Sequence, residues 1–515
     1  MSLSQLKEQI KISPVYTPLK ALQKCLRGGP SSARDYLGEM QALRRAFCHP
    51  ERLPRPAAQE ETVLFSLLVP LYNTPEPFLR EMIASVQGQF YSRWQLCLAD
   101  GSDKEHGRVE EICREYAARD PRILYRRLPQ NLGISGNTNE CLKMAVGDYI
   151  ALFDHDDLLH PRALYEAARA IGEQGADFVY TDEATFLSPD RARITLLLYK
   201  PDFSPDNLLA NNYICHFTVF AAGLLRGMEA FRSAYDGSQD HDLILRLTAQ
   251  ARKIAHIPQI LYLWRAHPQS TASGVGVKSH AVDASQRAIR DFLSPQAVEI
   301  STVREGLNIY RISWPLTADV RDVTVISAAE AGAINRAVRE CGTDYVLLLS
   351  PQAEPLEDES IRAMLMYAQR PDVGAVGAKL HHQGRITHAG VAVGIDGKRP
   401  VDYPYRGKPA DEVGYMGRLS YAQDVTAVSG QCLMLRRALL EELGGLDEGS
   451  GGLWDIDLCL RLREAGYLNV FTPFACTCCP AAPPPGQADL DRFTARWQRR
   501  IAAGDPYYCL RNAYY

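Results

Sequence analysis

Residues 150–158 read Ile150-Ala151-Leu152-Phe153-Asp154-His155-Asp156-Asp157-Leu158. An apolar run without a turn residue ends in three carboxylates within four positions. Apolar runs of this kind read as buried strands, and a strand interior does not tolerate unpaired charge. The acids therefore belong at the carboxyl end of a strand, the edge where open α/β sheets place their ligands. Hard oxygen ligands at Asp-x-Asp spacing suit Mg²⁺ or Mn²⁺ beside a diphosphate. Asp is also a good turn and helix-capping residue, so the motif alone leaves a solvated acidic turn as its alternative.

The flanking sequence alternates between two periods. Strand-like runs at Phe65–Val69, Gln95–Ala99, Ile123–Arg126, Tyr149–Phe153 and Phe178–Tyr180 are separated by helical patterns at Glu76–Gln89, Glu105–Ala118, Ser135–Ala145 and Pro161–Glu173. This alternation predicts a mostly parallel sheet covered by helices on both faces. The strand ends share a chemistry: Pro70-Leu71-Tyr72-Asn73, then Asp100-Gly101-Ser102-Asp103, then Asn131-Leu132-Gly133-Ile134-Ser135-Gly136-Asn137, then the acids. One such loop is ordinary turn chemistry. Four in this order make one polar cleft.

A repeat follows. Asn139 to Phe153, containing Asp148-Tyr149-Ile-Ala-Leu, has the spacing of Asn335 to Leu349, containing Asp344-Tyr345-Val-Leu-Leu. Ser350-Pro351-Gln352-Ala353 then stands where Asp154-His155-Asp156-Asp157 stood, and Asp240-His241-Asp242-Leu243 recurs as Asp455-Ile456-Asp457-Leu458. Two related domains are expected, the second without the acids and without room for the first two strand–helix units. With 515 residues the chain is too long for one core. The predicted division is an N-terminal helical segment over 1–60, a first α/β domain over 61–295, and a truncated second one with a C-terminal helical tail over 296–515.

Composition excludes several classes. A net charge of −4 offers no electrostatic footprint for nucleic acid. No run of 18 apolar residues is present to span a membrane, and Met1–Tyr16 lacks the apolar core of a secretory signal. Most of the 13 Cys lie singly in apolar runs, as expected of reduced buried thiols in a cytoplasmic protein. Cys476-Thr477-Cys478-Cys479 lacks a second pair at zinc spacing.

The motifs together resemble inverting family 2 glycosyltransferases of the GT-A fold, in particular tandem-domain bacterial transferases of the O-antigen and rhamnan type. The resemblance rests on Val69–Asn73, Ala99–Ser102, Asn131–Ser135, Phe153–Asp157, Tyr180–Glu183, Lys200–Asp206, Asn212–Ile214, Gly237–Leu243 and Trp264–Pro268. It is strong over 62–275 and moderate over 323–510, including the ending Asp505-Pro506-Tyr507-Tyr508. It implies that 61–295 is the catalytic domain, taking a UDP- or dTDP-sugar donor and a glycan or lipid-linked glycan acceptor, with Mn²⁺ or Mg²⁺. A lipid-linked acceptor would bring the protein to the inner membrane face as a peripheral protein.

The resemblance also implies roles. Pro70, Tyr72, Asp100, Ser102, Asn137 and Asp154 would contact the nucleotide-sugar, with Tyr72 and Asp100 at base and ribose. For Tyr72 the alternative is a ring packed at the sheet edge. Asp154 would touch ribose or metal. Asp156 would ligate the metal, and His267 would join it or serve structurally. Asp240 would be the general base, or only the cap of an apolar helix. His155 is expected to be structural, Asp242 to orient a loop, and Trp264 and His216 to shape the acceptor pocket. His388 reads as a packed residue. The second domain is expected to catalyse nothing. A non-catalytic glycan-binding scaffold is the rival reading; a nucleotidyltransferase would need a Gly-rich phosphate loop that Val69–Thr74 does not supply.

Overall fold

A computed structural model describes residues 16–57, 60–267, 279–303 and 308–509. The predicted signal-free stretch at 1–15 and the motif residue Pro268 lie outside the described residues. The chain forms two compact units, one of residues up to Phe203 with Tyr213–Phe292, the other of Ser204–Asn212 with Leu293 onward.

The first unit begins with helix α1 (Tyr16–Cys48), then β1 (Phe65–Leu71), α2 (Glu76–Gln87), β2 (Trp94–Asp100), α3 (Arg108–Arg119), β3 (Ile123–Arg127) and α4 (Gly133–Leu142). It continues through β4 (Tyr149–Leu152), β5 (Leu158–Leu159), α5 (Ala163–Gln174), β6 (Phe178–Leu187) and β7 (Ile194–Leu198). After α6 (Pro205–Ala210), which belongs to the second unit, come β8 (Thr218–Ala221), α7 (Gln239–Gln250), β9 (Ile254–Ala266) and α8 (Ser279–Phe292).

Strands β1 and β2 are apolar along almost their whole length because helices cover both faces. Helix α2 shows the complementary pattern, burying Leu79, Met82, Ile83 and Val86 at helical spacing. The strand order is β3-β2-β1-β4-β8-β6-β9-β5, with β7 beside β6. Strand β1 pairs in parallel with β2 on one side and β4 on the other, so a crevice opens where the order reverses. The prediction of a mostly parallel sheet holds for β3-β2-β1-β4 and for β6-β9, whereas β8, β7 and β5 pair antiparallel. The periodicity read from sequence stopped at Tyr180, and β8 enters between β4 and β6 after a return from the second unit.

The second unit contains β10 (Glu299–Thr302), β11 (Tyr310–Ser313), β12 (Val323–Ser327), α9 (Ala331–Glu340), β13 (Tyr345–Leu349), α10 (Asp358–Ala368), β14 (Val373–His382) and β15 (Arg385–His388). It ends with β16 (Gln423–Val425), β17 (Cys432–Arg436), α11 (Arg437–Glu442), α12 (Trp454–Glu464), β18 (Leu468–Cys478) and α13 (Gln487–Ala503). Its main sheet runs β12-β13-β17-β14-β18-β16 with β15 beside β14. The pairing directions repeat those of β1-β4-β8-β6-β9-β5 with β7 beside β6. Strand β12 thus occupies the place of β1, and the missing parts are the counterparts of β2 and β3. Two strand–helix units are thus missing, as expected, but the strand that remains, Val323–Ser327, takes the sheet position of β1. Among the described residues no helix is long and apolar enough to cross a membrane.

Within this unit, Ser204–Asn212 is fastened by charge. Asp424 accepts hydrogen bonds from Ser204 Oγ (2.8 Å) and Asp206 N (3.0 Å), and Arg370 pairs with Asp206 at 2.5 Å. All three charged residues are buried or nearly so, and burial beside Asp206 pushes the Asp424 carboxyl well above the usual range. Arg370→Ala is expected to cost about 3–5 kcal/mol, because it leaves buried carboxylates without their cation; urea unfolding measures this loss.

In the first unit, Tyr180 and His256 face each other in the β6–β9 register and their rings stack at 4.9 Å. The buried imidazole bonds Asp182 (3.0 Å) and Asp202 (3.1 Å). Burial opposes its charge, but the two carboxylates outweigh it and hold the ring protonated up to about 9. The folded state then keeps a proton that the unfolded chain releases near its ordinary value. This contribution is complete below about pH 6.5 and is lost as pH rises through about 9. The melting temperature of wild type should fall over that window, and His256→Gln should flatten the decline.

Candidate active site

The in-register pairing of β1, β2 and β3 aligns Leu71, Asp100 and Arg127 at one sheet edge. Asp100 is fully buried. Its Oδ1 accepts from Ser102 N (2.8 Å), and its Oδ2 accepts from Tyr125 OH and Arg127 Nη1 (both 2.8 Å). Both oxygens already accept from within the protein, so Asp100, expected from sequence as a nucleotide contact, also shapes this loop. The exposed acid is Asp103, three residues on. It accepts from Asn73 Nδ2 (2.8 Å) and Tyr72 OH (3.1 Å), and these bonds hold its carboxyl below the usual range. Tyr72 is 42% exposed, which favours an open ring face over a packed one.

Ser102 Oγ accepts from Asn73 N at 2.8 Å, tying the two loops together. Asn137 is buried and bonds Asn131 Oδ1 (3.0 Å), Leu71 O (3.5 Å) and Leu132 N (3.0 Å), so it braces the loop from behind. Glycine is required at 101: a Cβ there would lie 2.9 Å from Asn137 Nδ2 and 3.0 Å from Asn131 Cα. Pro70 lies within β1, in register with Ala99, and offers backbone shape only.

The acids follow β4. His155 bonds Thr74 Oγ1 at 2.9 Å, a structural contact. Asp157 is fully buried, accepting from Tyr262 OH (2.5 Å) and Arg265 N (2.7 Å). Asp154 and Asp156 face the cleft. Asp156 Oδ2 lies 3.0 Å from His267 Nε2, and each side chain is 18% exposed. Arg265, buried between Phe78 and Phe186, bonds the Asp156 carbonyl and pairs with Glu81 at 2.7 Å, which fixes the acid's backbone. A carboxylate oxygen and an imidazole nitrogen at this separation fit one cation, since adjacent ligands about 2.1 Å from an ion stand about 3 Å apart. Asp154, Asp157 and His216 also bring ligand atoms within 4.8 Å. In that set both Asp157 oxygens are already engaged, so the donor chemistry favours Asp156 with His267.

The base candidate is reached through one loop. Asp240 opens α7, and its Oδ2 lies 3.6 Å from Cys215 Sγ. That sulfur is 3.6 Å from His216 Nε2, which is 3.2 Å from Asp154 Oδ2. His216 stacks on Tyr262 at 4.7 Å, tilts against Trp264 at 5.3 Å, and has Glu183 3.4 Å from Nδ1. Burial opposes a charge on this ring, but Cys215, Asp154 and Glu183 hold it protonated well above the usual imidazole range. Asp242 is buried between Arg232 and Arg246 and holds the loop before α7. Asp103, Cys215, Glu183 and Lys200 were missed as site residues; Glu183 and Lys200 stood inside quoted motifs, and Cys215 adjoined one.

The second unit keeps one side of this arrangement. Tyr149 pairs with Ala221 and Tyr345 with Arg436, so Gly430 and Gln431 stand where Cys215 and His216 do. Asp455 takes the place of Asp240 and accepts from Gly430 N at 2.7 Å, while burial lifts its carboxyl to about 6. A Cβ at Gly430 would meet the Trp454 ring at 2.4 Å. Ser350 and Gln352 replace the cleft acids. His388 is buried, accepts from Arg406 Nη2 at 3.1 Å, and is driven down to about 3 by burial and by that cation.

Comparison with known proteins matches the model "Glycosyl transferase family 2" over residues 66–227 and "Glycosyltransferase like family 2" over 312–499. The chain is 30% identical over 207 residues to the putative glycosyltransferase EpsE of Bacillus subtilis, which covers 38% of this chain and 71% of that one. It is 29% identical over 518 residues to the O-antigen biosynthesis protein RfbC of Myxococcus xanthus, 86% of this chain but 39% of that protein. To y4gI of Sinorhizobium fredii it is 34% identical over 508 residues, 85% of this chain and 55% of that one. The chain thus spans about half or less of the length of these last two relatives. It belongs to glycosyltransferase family 2, with two family-2 units of GT-A type in tandem.

Proposed function

We propose that the first unit transfers a sugar from a UDP- or dTDP-sugar to a hydroxyl of a growing cell-surface polysaccharide, with inversion at the anomeric carbon. One observation carries the reading: Asp154 and Asp240 are linked through His216 and Cys215 by contacts of 3.2–3.6 Å, with Asp156 and His267 paired on the same loop cluster. These contacts support reading Asp154 and Asp156 as donor-side acids and Asp240 as the base of the same site. RfbC, an O-antigen biosynthesis protein by name, supports the polysaccharide product. A lipid-linked acceptor would bring the protein to the cytoplasmic face of the membrane.

In this mechanism Tyr72 offers its ring to a pyrimidine base, and Asp103 accepts from the base N–H. Asp154, steadied by His216 at 3.2 Å, binds the ribose or the metal. Asp156 and His267 would hold Mn²⁺ or Mg²⁺, which when bound offsets the charge of the departing nucleoside diphosphate. Asp240 takes the proton of the acceptor hydroxyl as its oxygen forms the new bond and the diphosphate oxygen leaves, a single inverting displacement. The second unit carries Asp455 without donor-side acids, and we assign it no transfer.

Turnover of a panel of nucleotide sugars with and without Mn²⁺ tests this. Asp156→Asn is expected to raise the half-saturating Mn²⁺ concentration by on the order of tenfold or more, while Asp455→Asn leaves turnover unchanged. Asp240→Asn should retain donor binding but lose about 10²–10⁴ in kcat. Wild-type protein that binds no donor at any Mn²⁺ concentration would overturn the transferase reading in favour of a glycan-binding scaffold.

A further inference from the structure

Lys200 is a buried cation that the mechanism above does not use. Its side chain is 5% exposed, and its ammonium donates to Glu183 Oε2 (2.9 Å), Ile214 O (2.6 Å) and the carbonyl of His216. Three N–H donors thus meet three acceptors, the full capacity of a lysine. Its own backbone N–H is held by Asp182 Oδ1 at 2.8 Å, and Asp182 is in turn held by His256. The head of this side chain is therefore aimed by packing and hydrogen bonds at both ends.

The two carbonyls it grips flank Cys215. Between Lys200 and Ile214 the chain leaves the first unit after Phe203 and re-enters it at Tyr213. Lys200 closes the neck of that excursion. The residues just past the neck are Cys215, which meets Asp240, and His216, which meets Asp154. Glu183 completes the frame, bonding Lys200 on one side and facing the His216 ring on the other.

Resting on the transferase reading, we propose that Lys200 is a positioning residue: by clasping Ile214, His216 and Glu183, it sets the spacing between the donor-side Asp154 and the base Asp240. A small displacement at a reacting centre costs on the order of 10² in rate even when ligands still bind, so the loss should fall on kcat. Nucleotide binding at Tyr72 and Asp103, on loops that Lys200 does not touch, should persist.

Two variants and two readouts test this. Lys200→Met removes all three donors but leaves Glu183 buried without its cation. Lys200→Met with Glu183→Met removes that unpaired charge and preserves bulk, so the protein can fold with the clasp absent. In both, amide hydrogen exchange across Tyr213–Phe217 should quicken, kcat should fall by about 10², and the Kd for the nucleoside diphosphate with Mn²⁺, which Asp154 also serves, should rise by less than about tenfold relative to wild type. Unchanged exchange, or a kcat in the double variant within about threefold of wild type, overturns the proposal. If wild type itself turns over no nucleotide sugar, the transferase reading fails, and the exchange measurement alone decides whether Lys200 holds the loop.

Discussion

The parallel pairing of β1 with β2 on one side and β4 on the other is the constraint from which the rest follows. It sends consecutive strand ends outward on both sides of a single crevice. A carboxylate inside the sheet needs a partner, as Asp182 has His256 and Glu183 has Lys200, because an unpaired charge there would face desolvation without compensation. The polar loops after β1, β2, β3 and β4 are collected at one edge. Acids without such partners collect beyond that edge.

Among those acids, hydrogen-bond saturation divides structure from chemistry. Asp100, Asp157 and Asp242 are buried with their oxygens engaged by backbone N–H, tyrosine or arginine donors. They hold loops, β9 and the start of α7 in place. The candidate site acids Asp103, Asp154, Asp156 and Asp240 sit one to three residues from these anchors. The spacing Asp100 to Asp103, and Asp156 to Asp157, thus pairs an acid that faces the cleft with one that holds the backbone.

The second unit shows what the fold can lose. Its sheet repeats the pairing directions of the first from β12 onward but lacks counterparts of β2 and β3, the strands that bring Asp100 and Arg127 into register. Ser350 and Gln352 replace the acids, and Gly430, pressed against Trp454, replaces Cys215. The Asp455 carboxylate has structural work: it accepts from Gly430 N, in the loop before β17, and from Ile456 N within α12. Neither bond requires a donor substrate.

Much was legible in the chain alone. The apolar runs and the polar residues closing them determine the α/β class, the edge that carries the site and the repeat, because burial and periodicity are local properties. The Asp154–Asp156 pair followed from Asp-x-Asp spacing, and the roles of His267 and Asp240 from the family resemblance. Tertiary structure decided which oxygen of which carboxylate is already taken. Nothing near Asp100 in sequence announces its bonds of 2.8 Å to Tyr125 and Arg127. The antiparallel entry of β8, the grip of Lys200 on His216 and the contacts of Asp154 with His216 and of Asp240 with Cys215 join residues 16 to 72 positions apart. Such pairings arise from strand order and register, which are set by the simultaneous packing of distant segments and are not written in any local pattern.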